Sequence, residues 1–404
     1  MSKPPLTLLQ TLNNWLRRTP IAWLQLTYQK TRFLTASLGI ASAITLMFIQ
    51  LGLMGSLDES NTVLHKHLRG DLVMLNAQTE ALILVRDFSR RRLYHLLGFE
   101  AVKDVQPIYY GQRNFQNLGL DSDIVGSTRA ITVFGINPQQ SPFEFPSLDA
   151  QLDKITAPNV VLFDRKSRSE YGTIAEDFEA GRAIAVELDG EQMTIGGIID
   201  FSGTSFGSTG NLVTSDVNFL HFFPEKDPEQ IALGLITLHP GTDPNQVAQT
   251  LQNQLPIDVK VLTIEQFVEQ EQYYWRETTV IGFIFQMGSA VGFLIGMYIV
   301  YQILYADTTE HIPDYAILRA KGYQSRYFWT VLIQEAVILS VSSYIPGYLF
   351  SLTLYRIVVL GTNLPISMTR SRALLVLVLT FLMCLLAGFL VVRKLKDSDP
   401  ADLF

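Results

Sequence analysis

The sequence predicts a membrane α-helical fold: four transmembrane helices, with an α+β extracytoplasmic domain inserted between the first and the second. Three observations predict it. Apolar residues make up 48% of the chain and charged residues 17%, and the apolar excess is gathered into four runs. A polar stretch, 56–278, separates the first run from the other three. Charge is divided between the two parts: residues 56–278 carry 17 Lys and Arg against 31 Asp and Glu, a net of −14, and the remainder carries 14 against 7, a net of +7.

Residues 33–55, 279–304 and 373–392 contain no charged side chain, and 328–355 contain only Glu335. A helix crosses the hydrocarbon core with about 20 apolar residues, so each run is long enough. The first run departs from a signal peptide. It begins after 32 residues, exceeds the roughly 7–15 residues of a secretory apolar region, and is followed by no A-x-A site. It reads as a retained anchor. Lys and Arg beside the span ends set the orientation. With the N-terminus inside, Lys3, Arg17, Arg18, Lys30, Arg32, Arg319, Lys321, Arg326, Arg393, Lys394 and Lys396 lie on the inner side, against Arg356, Arg370 and Arg372 on the outer. The acidic domain then lies outside the cytoplasm and both termini inside. Its lack of cysteine (Cys384, in the fourth span, is the only one) leaves it to stand on its own core. Basic residues that hug the membrane, beside an acidic exposed domain, point to membrane lipids and away from nucleic acid.

Residues 1–32 read as a cytoplasmic arm. Leu8, Leu9, Leu12, Trp15, Leu16, Ala22, Trp23 and Leu26 alternate there with Arg17, Arg18, Gln25 and Lys30, an amphipathic pattern broken at Pro20 that suits the inner interface. After the first span, 56–69 continues as a helical stalk, and 263–278 forms a second stalk leading into the second span. Thr263 and Gln266 have the spacing of a capping box. Between the stalks one pattern occurs twice: strand 71–76, helix 87–97, strand 104–111; then strand 231–238, helix 243–254 with Asp243 before Pro244, strand 257–262. Two such β-α-β units, 71–111 and 231–262, pack as a split, ferredoxin-like sandwich. Residues 112–230 are then a β-rich insertion, with strands at 129–136, 158–163, 182–187, 191–200 and 210–214. The spans 279–304, 328–355 and 373–392 flank a cytoplasmic loop, 305–327, and leave a cytoplasmic tail, 393–404.

Catalytic motifs are weak or missing. No G-x-x-x-x-G-K-[ST] occurs, so the chain has no P-loop for ATP. Gly203-Thr204-Ser205-Phe206-Gly207 matches G-x-S-x-G, but a strand follows it where a nucleophile elbow needs a helix; it reads as a tight loop. His65 and His67 stand two apart, off a common helix face, with Asp58 and Glu59 nearby. They read as solvated stalk residues, and no metal site is expected. Arg90, Arg91 and Arg92 read as a solvated helix face able to meet an acidic partner or lipid headgroups. In the second span Gly288, Gly292 and Gly296 recur every four residues, which allows close helix approach within the bundle or between copies. Glu335 lies about two turns into the third span, close enough to the interface to snorkel or accept a bond from the preceding loop. Pro346-Gly347 predicts a kink in that span.

The most informative segment is the inner loop. In 305–327 Tyr315, Ile317 and Leu318 are apolar, Glu310, Asp314, Arg319 and Lys321 are charged, and Gly322 ends a short helix. A short amphipathic helix with exposed apolar residues calls for a partner groove.

This loop resembles that of MacB-like (FtsX-type) ABC transporter permeases, E-x-x-x-E-I-G-I-L-R-A-L-G. Glu310 and Asp314 stand at the acidic places, and Ile317, Leu318, Arg319, Ala320 and Gly322 match; Tyr315, Ala316 and Lys321 depart from it. Gln334-Glu335-Ala336 resembles the start of the family's third span, and the topology covers the whole chain. Ala22-Trp23-Leu24-Gln25-Leu26, Leu46-Met47-Phe48-Ile49-Gln50-Leu51-Gly52, Gly203–Gly207 and Asp399-Pro400-Ala401-Asp402-Leu403-Phe404 resemble the narrower, cyanobacterial DevC family.

The resemblance implies a MacB-like type VII permease fold in a bacterial, here cyanobacterial, cytoplasmic membrane, with the inserted domain periplasmic. It implies a permease that is not itself an enzyme, with no catalytic residue and no cofactor of its own, ATP and Mg being bound by a separate cytoplasmic ABC ATPase. Glu310, Asp314, Tyr315, Ile317, Leu318, Arg319 and Gly322 would form the coupling helix on that ATPase. A homodimer, a periplasmic membrane-fusion adaptor and an outer-membrane duct are implied partners. The implied output is export of a lipid-like cargo of the glycolipid class by mechanotransmission, and in DevC-type members the G-x-S-x-G run is not catalytic. The same fold could instead release lipoproteins or regulate a cell-wall hydrolase. A sensor reading lacks a cytoplasmic output domain.

Overall fold

The computed structural model describes residues 23, 28, 30–118, 128–202, 204–312, 317 and 325–397. In chain order its main elements are α1 (Lys30–Lys66), β1 (Leu72–Asn76), β2 (Phe88–Ser89), α2 (Arg90–His95), β3 (Val102–Asn117), β4 (Arg129–Ile136), α3 (Pro146–Asp149), β5 (Val160–Asp164), α4 (Ile174–Glu179), β6 (Ala185–Leu188) and β7 (Glu191–Ile199). They continue with β8 (Asn211–Ser215), α5 (Asp216–Phe222), β9 (Gln230–Ile231), β10 (Leu233–Leu238), α6 (Pro244–Gln254), β11 (Val259–Thr263), α7 (Ile264–Tyr273), α8 (Val280–Glu310), α9 (Ser325–Thr362) and α10 (Arg370–Asp397). The described residues form two compact units.

Of the described residues, the first unit holds those within 30–54, 284–357 and 366–397. Among the described residues four helices are long and apolar enough to cross a membrane: Lys30–Lys66, Val280–Glu310, Ile333–Thr362 and Arg370–Lys394. Hydroxyls inside them return to their own helices, as Thr45 donates to Ala41 O (2.8 Å), Ser351 to Gly347 O (2.7 Å) and Thr380 to Val376 O (2.7 Å). That satisfies polar groups where no water is present. Ile40, Ile44, Met47 and Phe48 of α1 pack with Val300, Leu339, Met383 and Cys384. Small residues set the spacing. A Cβ on Gly288 would lie 2.5 Å from the Gln50 side chain, one on Gly292 3.2 Å from Met47 Cγ, and one on Gly296 2.3 Å from Met383 Sδ. The glycine stripe of α8 therefore packs inside the bundle, largely on α1. Pro346 lies within α9, which stays helical through it.

The second unit holds 55–283 and 358–365. Its sheet has the order β11-β1-β10-β3-β4-β8-β5-β7-β6. The first four strands are antiparallel neighbours in the order of a ferredoxin-like sandwich, with α2 and α6 in its two crossovers. Asp243 caps α6 by accepting from Asn245 N, with Pro244 at the first helical position. The strand expected at 104–111 is longer than that. β3 pairs through 102–108 with β10, through 109–115 with β4 and through 115–117 with β6. The strands of 112–230 therefore do not form a separate sheet. β3, β4, β8, β5, β7 and β6 close into a ring, with β4/β8 and β5/β7 parallel. Closure leaves this part without a free edge, which short strands otherwise expose to wrong pairing.

Candidate functional site

The segments that carry the chain between the two units meet inside the second one. Residues 55–66 form the end of α1, and 264–278 comprise α7 and one π-helical turn, Tyr274–Thr278. Thr263 accepts from Gln266 N while the Gln266 side chain accepts from Thr263 N, so the capping box fixes where α7 begins. These segments are not solvated stalks. Asp58, Ser60, Asn61, Thr62 and His65 are buried, and Leu64 and Leu68 share a core with Phe134, Phe143 and Phe267. The sequence shows alternating polarity along 56–69; only the fold shows that its polar face is covered as well.

Three contacts join the two segments. Arg276 makes a bidentate pair with Asp58, its Nε donating at 2.7 Å and its Nη2 also donating. That pair raises the Arg276 guanidinium further above its ordinary value. His65, fully buried, packs tilted against Phe267 with ring centroids 4.2 Å apart. Its Nε2 lies 3.3 Å from Glu271 Oε2, off the hydrogen-bonding direction, and neither ring nitrogen has a hydrogen-bond partner. Glu271 is occupied otherwise: Oε1 accepts from Trp275 Nε1 and Oε2 from Leu82 N, both at 2.8 Å. A buried carboxylate is tolerated when its lone pairs are satisfied in this way.

The G-x-S-x-G segment closes over these contacts; its first residue, Gly203, lies outside the described residues. Ser205 Oγ accepts from Gly207 N (3.1 Å) and Ser208 N (2.9 Å), which makes it the staple of its own turn. Gly207 N donates to Asn61 Oδ1 (3.3 Å), and a Cβ there would stand 3.0 Å from the Trp275 indole. Thr204 donates to Asn363 O at 3.5 Å. Fully buried Asp164 anchors the far end of the loop by accepting from Asn211 Nδ2 (3.0 Å) and Phe201 N (3.2 Å). Ser60, Asn61, Ser205, Ser208, Glu271 and Trp275 line a cavity of about 40 Å3, room enough for water. The chemistry of this loop is that of a clasp on two helices.

The link to the second span is not one helix. After the π-turn, Thr279 is extended (φ −87°, ψ 149°), and α8 starts afresh at Val280. Thr279 Oγ1 donates to Trp275 O (2.6 Å) and accepts from Gly282 N (3.2 Å). Gly282 is required for that close return, because a Cβ would lie 2.2 Å from Arg276 O. By contrast α1 is continuous through all 37 of its residues.

On the other unit, Glu310 accepts from Arg32 Nη1 at 2.6 Å, and Ile317 is exposed. Asp314, Tyr315, Leu318, Arg319 and Gly322 lie outside the described residues. Glu335 does not snorkel: it is fully buried, and among the described residues neither carboxylate oxygen has a hydrogen-bond partner. Among the described residues no cluster of His, Cys, Asp and Glu could hold a metal. Sequence reading missed Asp58, Glu271, Trp275 and Arg276 as a set. The available signal was their place at the two ends of the inserted stretch.

Residues 33–254, more than half of the chain, match the MacB-like periplasmic core domain, and 287–400 match the FtsX-like permease C-terminal domain. The periplasmic region of MacB from Actinobacillus actinomycetemcomitans is similar at 11% identity and a TM-score of 0.34, covering 50% of this chain and 92% of that one. The extracellular domain of the noncanonic ABC-type transporter YknZ from Gram-positive bacteria is similar at 12% identity and a TM-score of 0.30, covering 48% of this chain and 100% of that one. None of the curated proteins matches.

Proposed function

The chain belongs to the MacB-like permease family of ABC transporters, and from that premise we propose that it is the membrane subunit of a tripartite exporter. In this reading it hydrolyses nothing. A separate cytoplasmic ATPase binds ATP and Mg, and two copies of this chain carry the resulting motion to their extracytoplasmic units. Residues 307–322 dock on the ATPase, with Ile317 and Leu318 in its groove and Glu310, Asp314, Tyr315, Arg319 and Gly322 shaping the helix. Both termini lie in the cytoplasm. An adaptor on the inserted unit and an outer-membrane duct complete the path, and the cargo is lipid-like, of the glycolipid class taken by DevC-type permeases. The cargo is expelled outside the membrane and does not thread the bundle.

The observation that carries this reading is the clamp. The two segments entering the inserted unit are joined by Asp58–Arg276, His65–Phe267 and the close approach of His65 to Glu271. A displacement of either segment is therefore shared by both, as a transmission requires and as a passive tether does not.

The test is uncoupling. Ile317→Asp and Leu318→Asp place a charge in an apolar contact and should abolish stimulation of the ATPase by the permease, while membrane insertion and folding stay intact. Stimulation and export at the unmodified level in both variants would overturn the assignment.

A further inference from the structure

We propose that the groove between α2 and the segment after α6 is the docking site for an acidic, apolar-flanked segment of a soluble partner protein. The groove, about 510 Å3, is lined by Ser89, Arg91, Arg92, His95, Leu255 and Pro256, among others. It is a cationic site on a stretch whose net charge is −14. The inference concerns this surface alone and holds whichever protein supplies the segment.

Local structure presents the cations outward. Leu93 and Leu96 are buried beneath α2, and the Arg90 guanidinium lies over the Tyr94 ring at 5.1 Å, which stiffens the helix surface. Arg91 and Arg92 are left to face the groove. Their carboxylate neighbours hold them weakly: Arg91 stands 3.5 Å from Glu229 and Arg92 3.4 Å from Asp258, through side chains that are all exposed to solvent. Exposed pairs of this kind contribute little, so an incoming carboxylate exchanges with them at small cost. Ile257, 96% exposed, stands between Pro256 of the groove wall and Asp258, the neighbour of Arg92. An apolar side chain so displayed beside two arginines suits a segment that brings carboxylates and an apolar residue together.

A protein segment fits better than a lipid surface. The groove is concave, so a chain can enter it where a flat lipid surface cannot. Glu229 and Asp258 stand beside the cations, so a flat anionic surface would meet them as well, whereas a segment places its carboxylates only against the arginines.

The test uses the whole chain in nanodiscs of neutral lipid, with Ile257→Cys carrying an environment-sensitive dye; Cys384 is buried and does not compete. A synthetic Glu/Leu peptide should shift the dye saturably. Arg91→Glu with Arg92→Glu should weaken that binding about tenfold or more, and Glu229→Gln with Asp258→Asn should tighten it. The matching Gln/Leu peptide and vesicles of anionic phosphatidylglycerol should leave the dye unchanged. No response to the Glu/Leu peptide, a response indifferent to both double substitutions, or an equal response to the Gln/Leu peptide or to the vesicles would overturn the proposal.

Discussion

At the scale of single residues, the clamp is a matter of buried charge. Asp58 is buried and its bidentate partner is Arg276. Removing the guanidinium leaves a carboxylate short of donors, a loss of about 2 kcal/mol for hydrogen bonds to a charged group. Arg276→Ala should therefore lower the melting temperature of the chain in detergent by several degrees, and adding Asp58→Ala should recover part of the loss. Equal melting of the single and double variants would show that the pair is not coupled. Tyr110, on the wall of the small cavity, gives a pH signature. Burial pushes its phenol up to about 12, whereas an unfolded tyrosine ionises near about 10. The folded chain keeps a proton that the unfolded chain releases. The stability this contributes is complete below about pH 10 and is lost as the pH rises towards about 12, at up to about 1.4 kcal/mol per pH unit. Tyr110→Phe should flatten the fall of melting temperature with pH across that window; an unaltered slope would assign the titration elsewhere.

At the scale of elements, α8 and α1 are mated by absent side chains. A Cβ on Gly296 would lie 2.3 Å from Met383 Sδ and 3.0 Å from Ala43 Cβ. Gly296→Val should cost about 1–3 kcal/mol through overpacking, read as lower thermal stability in detergent even at a dilution where the chain is monomeric. A loss confined to the dimeric state would move the stripe to a subunit interface. Much at this scale was legible in sequence. The strand expected at 129–136 spans Arg129–Ile136, and Thr263 and Asp243 cap their helices as the spacing predicts. Periodicity and capping are local, so the sequence displays them directly. The break at Thr279 was not legible. The run TVIGFIF continues without proline or charge, and what ends the helix is a π-turn whose carbonyls need the missing side chain of Gly282.

At the scale of the whole molecule, the Lys and Arg beside the span ends predict the orientation: inserted unit outside the cytoplasm, both termini inside. Because Cys384 is buried, introduced cysteines report cleanly. Val217→Cys, at an exposed site, should react with a membrane-impermeant maleimide in intact spheroplasts. Ile317→Cys should react only after permeabilisation. The opposite pattern would invert the topology and remove the ATPase from reach of the 307–322 segment.

The sequence by itself determined the number of long apolar helices, the place of the inserted stretch, its charge, and the alternation of strand and helix at its two ends. Each of these is written in neighbouring residues or in composition. Tertiary structure decided the rest: that β3 serves both halves of the sheet, that His65 is buried rather than solvated, and that Asp58 finds Arg276 across 218 positions. Residues so far apart leave no local pattern. Only the fold, by bringing both segments under one loop, makes a polar helix face the inside of a joint.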